Sequence, residues 1–287
     1  MRVTILIATI ASCFIIASCS NENVKNDDSF SGKTDSLTSK IKNDSNDLHV
    51  FTLPAPLQVA TLLKTMDMRY NEKMLVPSKR KLPMFSSNYI RALNLGIHTI
   101  DLSYATVYNQ SQTAIDYAKN IQVMTQDLGL SSGVTKEIVV RFESNINRQD
   151  SLYKIILQSY NLAHQYFQSN KREEVGMYIL AGSYLEGLYI TLNFKELPSD
   201  NKLLNLIGQQ KIFLENIIEL LQYTEEKPET VELLQQLMAL KKEFDPIKVQ
   251  FLDTNDGRVA VKCDLTVQQL ANLLAKTTEL RNKLITP

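Results

Sequence analysis

Apolar residues recur every three or four positions along most of the chain, the period of a helix with one buried face. Val59, Leu62, Leu63 and Met66 predict a helix that starts behind Pro54 and Pro56 and runs to about Tyr70. Lys79, Arg80, Lys81 and Pro83 break the pattern. Ser86 or Ser87 can then cap the free amides of a second helix, whose stripe is Ile90, Leu93, Ile97, Ile100, Tyr104 and Val107. A third helix is predicted from about Ser111 to Leu128, ended by Gly129, and a fourth from Val134 to Ile146. Asp150-Ser151 opens a fifth that carries Leu152, Ile155, Ile156 and Leu162 and stops at Ser169-Asn170. The sixth runs from Glu173 to Phe194, before Pro198. Two further stripes, Leu203 to Leu221 and Val231 to Phe244, flank a Glu-Glu-Lys-Pro turn and predict a helical hairpin. Between Ile247 and Cys263 the period falls to two. Val249 and Phe251, then Asp256-Gly257, then Val259 and Val261 predict a two-stranded hairpin. A last helix, from about Thr266 to Ile285, carries Val267, Leu270, Leu274, Thr277 and Leu284.

This order of elements predicts an all-α fold, an irregular array of antiparallel helix pairs with one small β-hairpin near the C-terminus. Its shape would be tetratricopeptide-like without the sequence repeat. Pair starts near 89, 151 and 203 do not follow the 34-residue tetratricopeptide period, and the Trp-Leu-Gly-Tyr signature is absent.

The first residues follow another logic. Arg2 precedes an uncharged apolar run from Val3 to Ala17, too short for the roughly 20 residues that span a bilayer and closed by Ile16-Ala17-Ser18-Cys19. That is the order of a signal peptide over residues 1–18. The tetrad resembles the lipobox of bacterial lipoproteins, which implies that Cys19 becomes the lipidated first residue. Its two or three acyl chains, at about 0.8 kcal/mol per buried methylene, would hold the chain on a membrane. From Ser20 to Asp47 the chain is rich in Ser, Asn, Asp and Lys with almost nothing to bury, so residues 19–48 are expected to form a flexible stalk with a reach of roughly 30 Å. Residues 49–287 are expected to form a single helical domain. The expected location is the cell envelope, most simply the outer membrane, with either face open.

Composition narrows the partners. Apolar residues make up 44% of the chain, enough to fill a core, and 31 basic residues balance 31 acidic ones. No basic field exists to hold a phosphate backbone, so nucleic acid is not expected. With Cys13 removed and Cys19 lipidated, Cys263 is the only thiol left, and its strand spacing suits a small buried hydrophobe.

Four groups of residues invite a chemical reading. Arg91, Asn94, His98 and Asp101 form a polar stripe at helical spacing. Such a stripe binds an anion or metal, or it fixes how two helices dock. The second reading is preferred, because one His and one Asp supply too few metal ligands. Gly176, Ser183 and Gly187, with Gly182 nearby, offer a small-residue face for close helix packing. Glu186 stands among apolar neighbours; it reads as a buried acid paired with Arg91 or Arg141 rather than as a general acid, since no second carboxylate stands at fixed spacing. Asp253, Asn255 and Asp264 imitate an EF-hand loop, but the glycine is misplaced and the twelfth position is not Glu. The fourth group is the tyrosine set that includes Tyr104, Tyr108, Tyr117, Tyr178, Tyr184 and Tyr189, read as core edges.

Three stretches carry a family resemblance: Asn94 to Ala105, Asn145 to Leu152, and Gly182 to Ile190. They resemble an uncharacterised family of helical Bacteroidetes lipoproteins, best over residues 85–195. The resemblance implies an all-helical fold and an envelope location, and it brings no activity or catalytic residues. Tyr often replaces His98 in similar sequences, which argues against a metal there. The function expected is therefore a membrane-anchored, non-enzymatic binding or scaffold module for an envelope protein or peptide, with no cofactor. The alternative is a ligand receptor or enzyme with a polar pocket around Arg91, His98, Asp101 and Glu186.

Overall fold

The computed structural model describes residues 56–66, 68–78, 87–130, 134–170, 172–193, 201–222, 227–253 and 259–285. Cys19, the stalk and the Asp256-Gly257 turn lie outside the described residues. The described chain is all-α with one strand pair: α1 Pro56–Thr65, α2 Asn88–Val107, α3 Ser111–Asp127, α4 Val134–Ser144, α5 Gln149–Ser169, α6 Glu173–Leu192, α7 Asn201–Gln222, α8 Pro228–Phe244, β1 Lys248–Asp253, β2 Val259–Asp264 and α9 Val267–Ile285.

Local chemistry sets the helix ends. Ser87 caps α2, its Oγ accepting from the Ile90 amide at 3.3 Å. Both α2 and α3 stop at a left-handed residue, Asn109 at φ 59° and Gly129 at φ 66°. Each is closed by the same bond pair. Gln110 N–H donates to Ala105 O and Asn109 N–H to Thr106 O; Leu130 N–H donates to Thr125 O and Gly129 N–H to Gln126 O. These are Schellman closures, in which glycine or asparagine bears the positive φ at least expense.

Helices α2 and α6 are the centre of the fold. They run parallel, because their contacts advance together along both: Tyr89 packs edge-on against Tyr178 at 4.9 Å, Gly96 lies against Ile179 and Ser183, and Asp101 meets Glu186. The backbones nearly touch at the middle. A Cβ on Gly96 would lie 2.0 Å from Ile179 O, and one on Gly182 would lie 2.0 Å from Leu93 O. Ser183 Oγ donates to Gly96 O across the same crossing. The small-residue face is therefore real but centred on Gly182, and Gly187 is not part of it, since a Cβ there meets nothing within 4 Å. Apolar all round, α6 is among the described residues the one helix long and apolar enough to cross a membrane, yet most of it is buried by its neighbours.

One hydrophobic core runs from Leu63 on α1 through α2, α3 and α6 to Leu284 on α9. The strands pair antiparallel, Val249 opposite Cys263 and Phe251 opposite Val261. They lie on α7, where Gly208 makes room for Cys263 and Asn205 Oδ1 accepts from the Cys263 amide at 3.2 Å.

The first helix is shorter than its periodicity predicts. It stops at Thr65, and residues 68–78 continue as an extended strap with a single 3-10 turn at Glu72–Met74.

Candidate functional site

The strap is held as a bound peptide would be, through its backbone. Tyr108 OH donates to Met68 O at 2.6 Å, and Asn71 N–H donates to Tyr104 OH at 3.2 Å. Arg281 Nη2 donates to Met74 O at 3.1 Å. Val76 N–H donates to Asp101 Oδ2 at 3.2 Å, and Tyr117 OH to Val76 O. Farther on, Asn120 Nδ2 donates to Ser78 O at 2.9 Å. Met74, Leu75 and Val76 are buried. Buried amides and carbonyls need partners, and here side chains of α2, α3 and α9 supply what a helix or sheet would have supplied. Tyr104 and Tyr117 are thus core residues and Tyr108 is half-buried beside them, and the hydroxyls of all three fasten the strap.

Behind the strap the charged side chains meet. Glu186, from α6, is wholly buried, and Arg281, from α9, grips it with Nε to Oε2 at 2.5 Å and Nη2 to Oε1 at 2.7 Å. The guanidinium also lies over the Tyr189 ring at 4.2 Å from its centroid. Asp101, from α2, is equally buried and stands within hydrogen-bond reach of Glu186. Burial first, and then the Glu186 charge, hold the Asp101 carboxyl well above the usual carboxylate range, against the pull of Arg281. Burial opposes the Arg281 charge, but Glu186 and Asp101 outweigh it and its proton is held more tightly than usual. His98, one turn from Asp101, packs edge-on against Tyr117 at 5.6 Å. Burial, then Arg281, press its value down to about 4, so it is neutral. Its Nδ1 meets no hydrogen-bond partner.

The structure thus brings together three of the five residues singled out in the sequence: His98, Asp101 and Glu186. It separates the other two. Arg91 begins α2 about ten residues, or about 15 Å of helix rise, before Asp101; it bonds Asn88 and faces Asp127 at 3.6 Å. Asn94 donates to Ile90 O and to Leu284 O, which docks the end of α9 onto α2. The sequence pairs Glu186 with Arg91 or Arg141, and the structure pairs it with neither. Arg141 bonds Gln158, and the true partner is Arg281, 95 residues from Glu186 along the chain. A signal for it exists in the sequence. Leu270, Leu274, Thr277, Arg281 and Leu284 step by four and three, so Arg281 occupies a core position of an otherwise apolar stripe.

Chemically the cluster is closed. His98, Asp101, Glu186 and Arg281 are all at or below 5% exposure, and they are shut between α2, α3, α6, α9 and the strap. Among the described residues no three His, Cys, Asp or Glu side chains stand where they would hold a metal ion. A separate cleft of about 220 Å³ lies where the α2–α3 turn meets the α4–α5 turn, lined by Thr106, Gln110, Ser111 and Asn147 among others. It is smaller than the usual pocket for a small molecule. Comparison of the chain with protein-family models, with curated proteins and with solved structures finds no match.

Proposed function

We propose that this protein is a lipid-anchored component of the bacterial cell envelope whose helical domain is a non-enzymatic module for binding or scaffolding a protein or peptide. One observation carries the reading. The side chains best suited to chemistry, Asp101, Glu186, His98 and Arg281, are consumed inside helix contacts and in fastening the strap, at or below 5% exposure. A catalytic or ligand pocket needs such groups convergent on an open cavity. What the domain offers a partner is its surface, where Val140 on α4 and Val267 on α9 are large apolar side chains at 55% and 72% exposure. The family resemblance and the Ile-Ala-Ser-Cys tetrad support the anchored setting.

Two measurements test this. Labelled palmitate should enter the intact chain and be lost in Cys19→Ala; labelling that survives the substitution ends the anchored reading. Photo-crosslinkers at Val140 or Val267 in living cells should give a discrete adduct that is missing when the crosslinker stands at Glu232 on α8. Identical smears from every position would remove the binding role.

A further inference from the structure

The strap is fastened by the same residues that make up the buried charge cluster. Asp101 takes the Val76 amide and Arg281 takes the Met74 carbonyl. The charges around Asp101 are Glu186 from α6 and Arg281 from α9; the other titratable neighbours are His98 on α2 itself, Tyr117 on α3, and Tyr70 in the strap with Glu72 beyond it. His98 and the tyrosines are neutral. Two carboxylates and one guanidinium remain, all within 5% exposure. Unscreened, that leaves an uncompensated buried negative charge, which a folded protein does not tolerate without a partner.

The geometry indicates the remedy. Both Glu186 oxygens are occupied by Arg281. Asp101 Oδ2 receives Val76, while Oδ1 has no donor and the carboxyl faces Glu186. Two carboxyl groups within hydrogen-bond reach of each other bond only if one carries a proton. A proton on Asp101 turns the contact into an O–H···O bond, cancels the excess charge and leaves Oδ2 free to hold the strap.

We propose that residues 68–78 form a proton-gated latch: with a proton on Asp101 the strap is shut, and when that proton leaves, the strap detaches from α2, α3 and α9 before the helices open. The strap yields first because, beyond one 3-10 turn, it has no backbone ladder. Burial of Met74, Leu75 and Val76 and bonds from α2, α3 and α9 side chains hold its inner end, and lifting it lets water reach an ionised Asp101. Its consequence is positional. The strap joins α1 to the α2–α6 centre, so opening loosens the N-terminal side of the domain while its middle stays folded. The latch rests on side-chain geometry and is independent of the partner proposed above.

Hydrogen exchange on the full mature chain tests it. Each amide rate is divided by the rate of an unstructured peptide of the same residues at the same pH, which removes base catalysis. As pH climbs above the ordinary carboxylate range, protection of Val76 should fall by about tenfold or more while Leu93 to Ile97 in α2 keep theirs. Asp101→Asn keeps an acceptor for Val76 and gives Glu186 an N–H donor but has no proton to lose, so its strap protection should stay flat. A wild-type strap that exchanges only together with α2, or an Asp101→Asn chain with the wild-type pH dependence, overturns the latch. Should that variant not fold, carbon-13 spectra of the Asp-labelled wild type decide. The Asp101 carboxyl must titrate in step with strap opening, and one ionised over the whole range overturns the proposal.

Discussion

Arg281 and Glu186 meet in a two-bond fork, Nε to Oε2 and Nη2 to Oε1, with side chains 6% and 0% exposed. Attraction at this depth does not make the pair a large net stabiliser, because both ions lost their water to reach it. Its role is to specify how α9 docks on α6. Removing one partner should be severe: Arg281→Ala is expected to lose about 3–5 kcal/mol in urea unfolding. Arg281→Lys should recover little, since an ammonium cannot make the fork, lie over Tyr189 and reach Met74 O together. The double variant Glu186→Leu with Arg281→Met should regain most of the loss. If Arg281→Lys is as stable as wild type, the fork is not what holds α9.

The parallel crossing of α2 on α6 makes the opposite kind of demand. A methyl group on Gly96 or Gly182 would meet carbonyl oxygens at 2.0 Å, and a backbone cannot rotate aside as a side chain can. Gly96→Ala and Gly182→Ala should each cost about 3 kcal/mol by forcing the helices apart. Gly187→Ala should instead gain about 1 kcal/mol, because it lies in the same helix with nothing within 4 Å of its added carbon and sheds glycine's helix penalty. Equal effects at all three positions would show that helix propensity, not the crossing, is being measured.

The helices were legible in the sequence because periodicity is local. Ser87 as cap, Gly129 as terminator and the Val249–Val261 strand period each announce their element within a few residues. The strap was not legible, since Met66 and Tyr70 continue the spacing of α1 while the chain has left the helix. What removes them from it is a set of hydroxyls on Tyr104, Tyr108 and Tyr117, more than thirty residues away. Glu186 was visible as a charge among apolar neighbours. Its partner is hidden by distance in sequence, and Arg91 lies on a stripe that periodicity alone cannot divide into what meets the core charge and what does not.

His98 should make the fold acid-sensitive. Its folded value of about 4 lies below the ordinary 6.5, so between those values the unfolded chain takes up a proton that the folded chain refuses. The stability this contributes is complete above about pH 6.5 and is lost as pH falls toward 4, about 3 kcal/mol over the range. His98→Phe keeps a ring against Tyr117 and removes the titration, so the difference between variant and wild type should shift by most of that amount, about 2 kcal/mol, between about pH 7 and pH 4.5. Asp101 has the opposite sign: its raised value means that stability falls as pH climbs above the ordinary carboxylate range. Parallel pH profiles for His98→Phe and wild type would show that His98 is already solvated in the folded state.

Cys263 reports on the last docking event, the hairpin on α7. Its thiol is 3% exposed and sits with its Cβ where a methyl on Gly208 would reach to 2.7 Å. Burial, then Asp264, push its value up to about 11, and only the thiolate attacks a disulfide reagent, so both access and charge slow the reaction. In the native protein it should label with a thiol reagent only as fast as the strands lift from α7. Gly208→Ala presses against β2 with a carbon that cannot turn away, and should speed labelling by about tenfold while circular dichroism stays helical. The expected reading separates two kinds of opening. If labelling in Gly208→Ala rises only in step with global unfolding by urea, the hairpin and α7 are one cooperative unit; if it rises alone, the hairpin is a local one, held to α7 by the Asn205 bond and the contacts around Cys263.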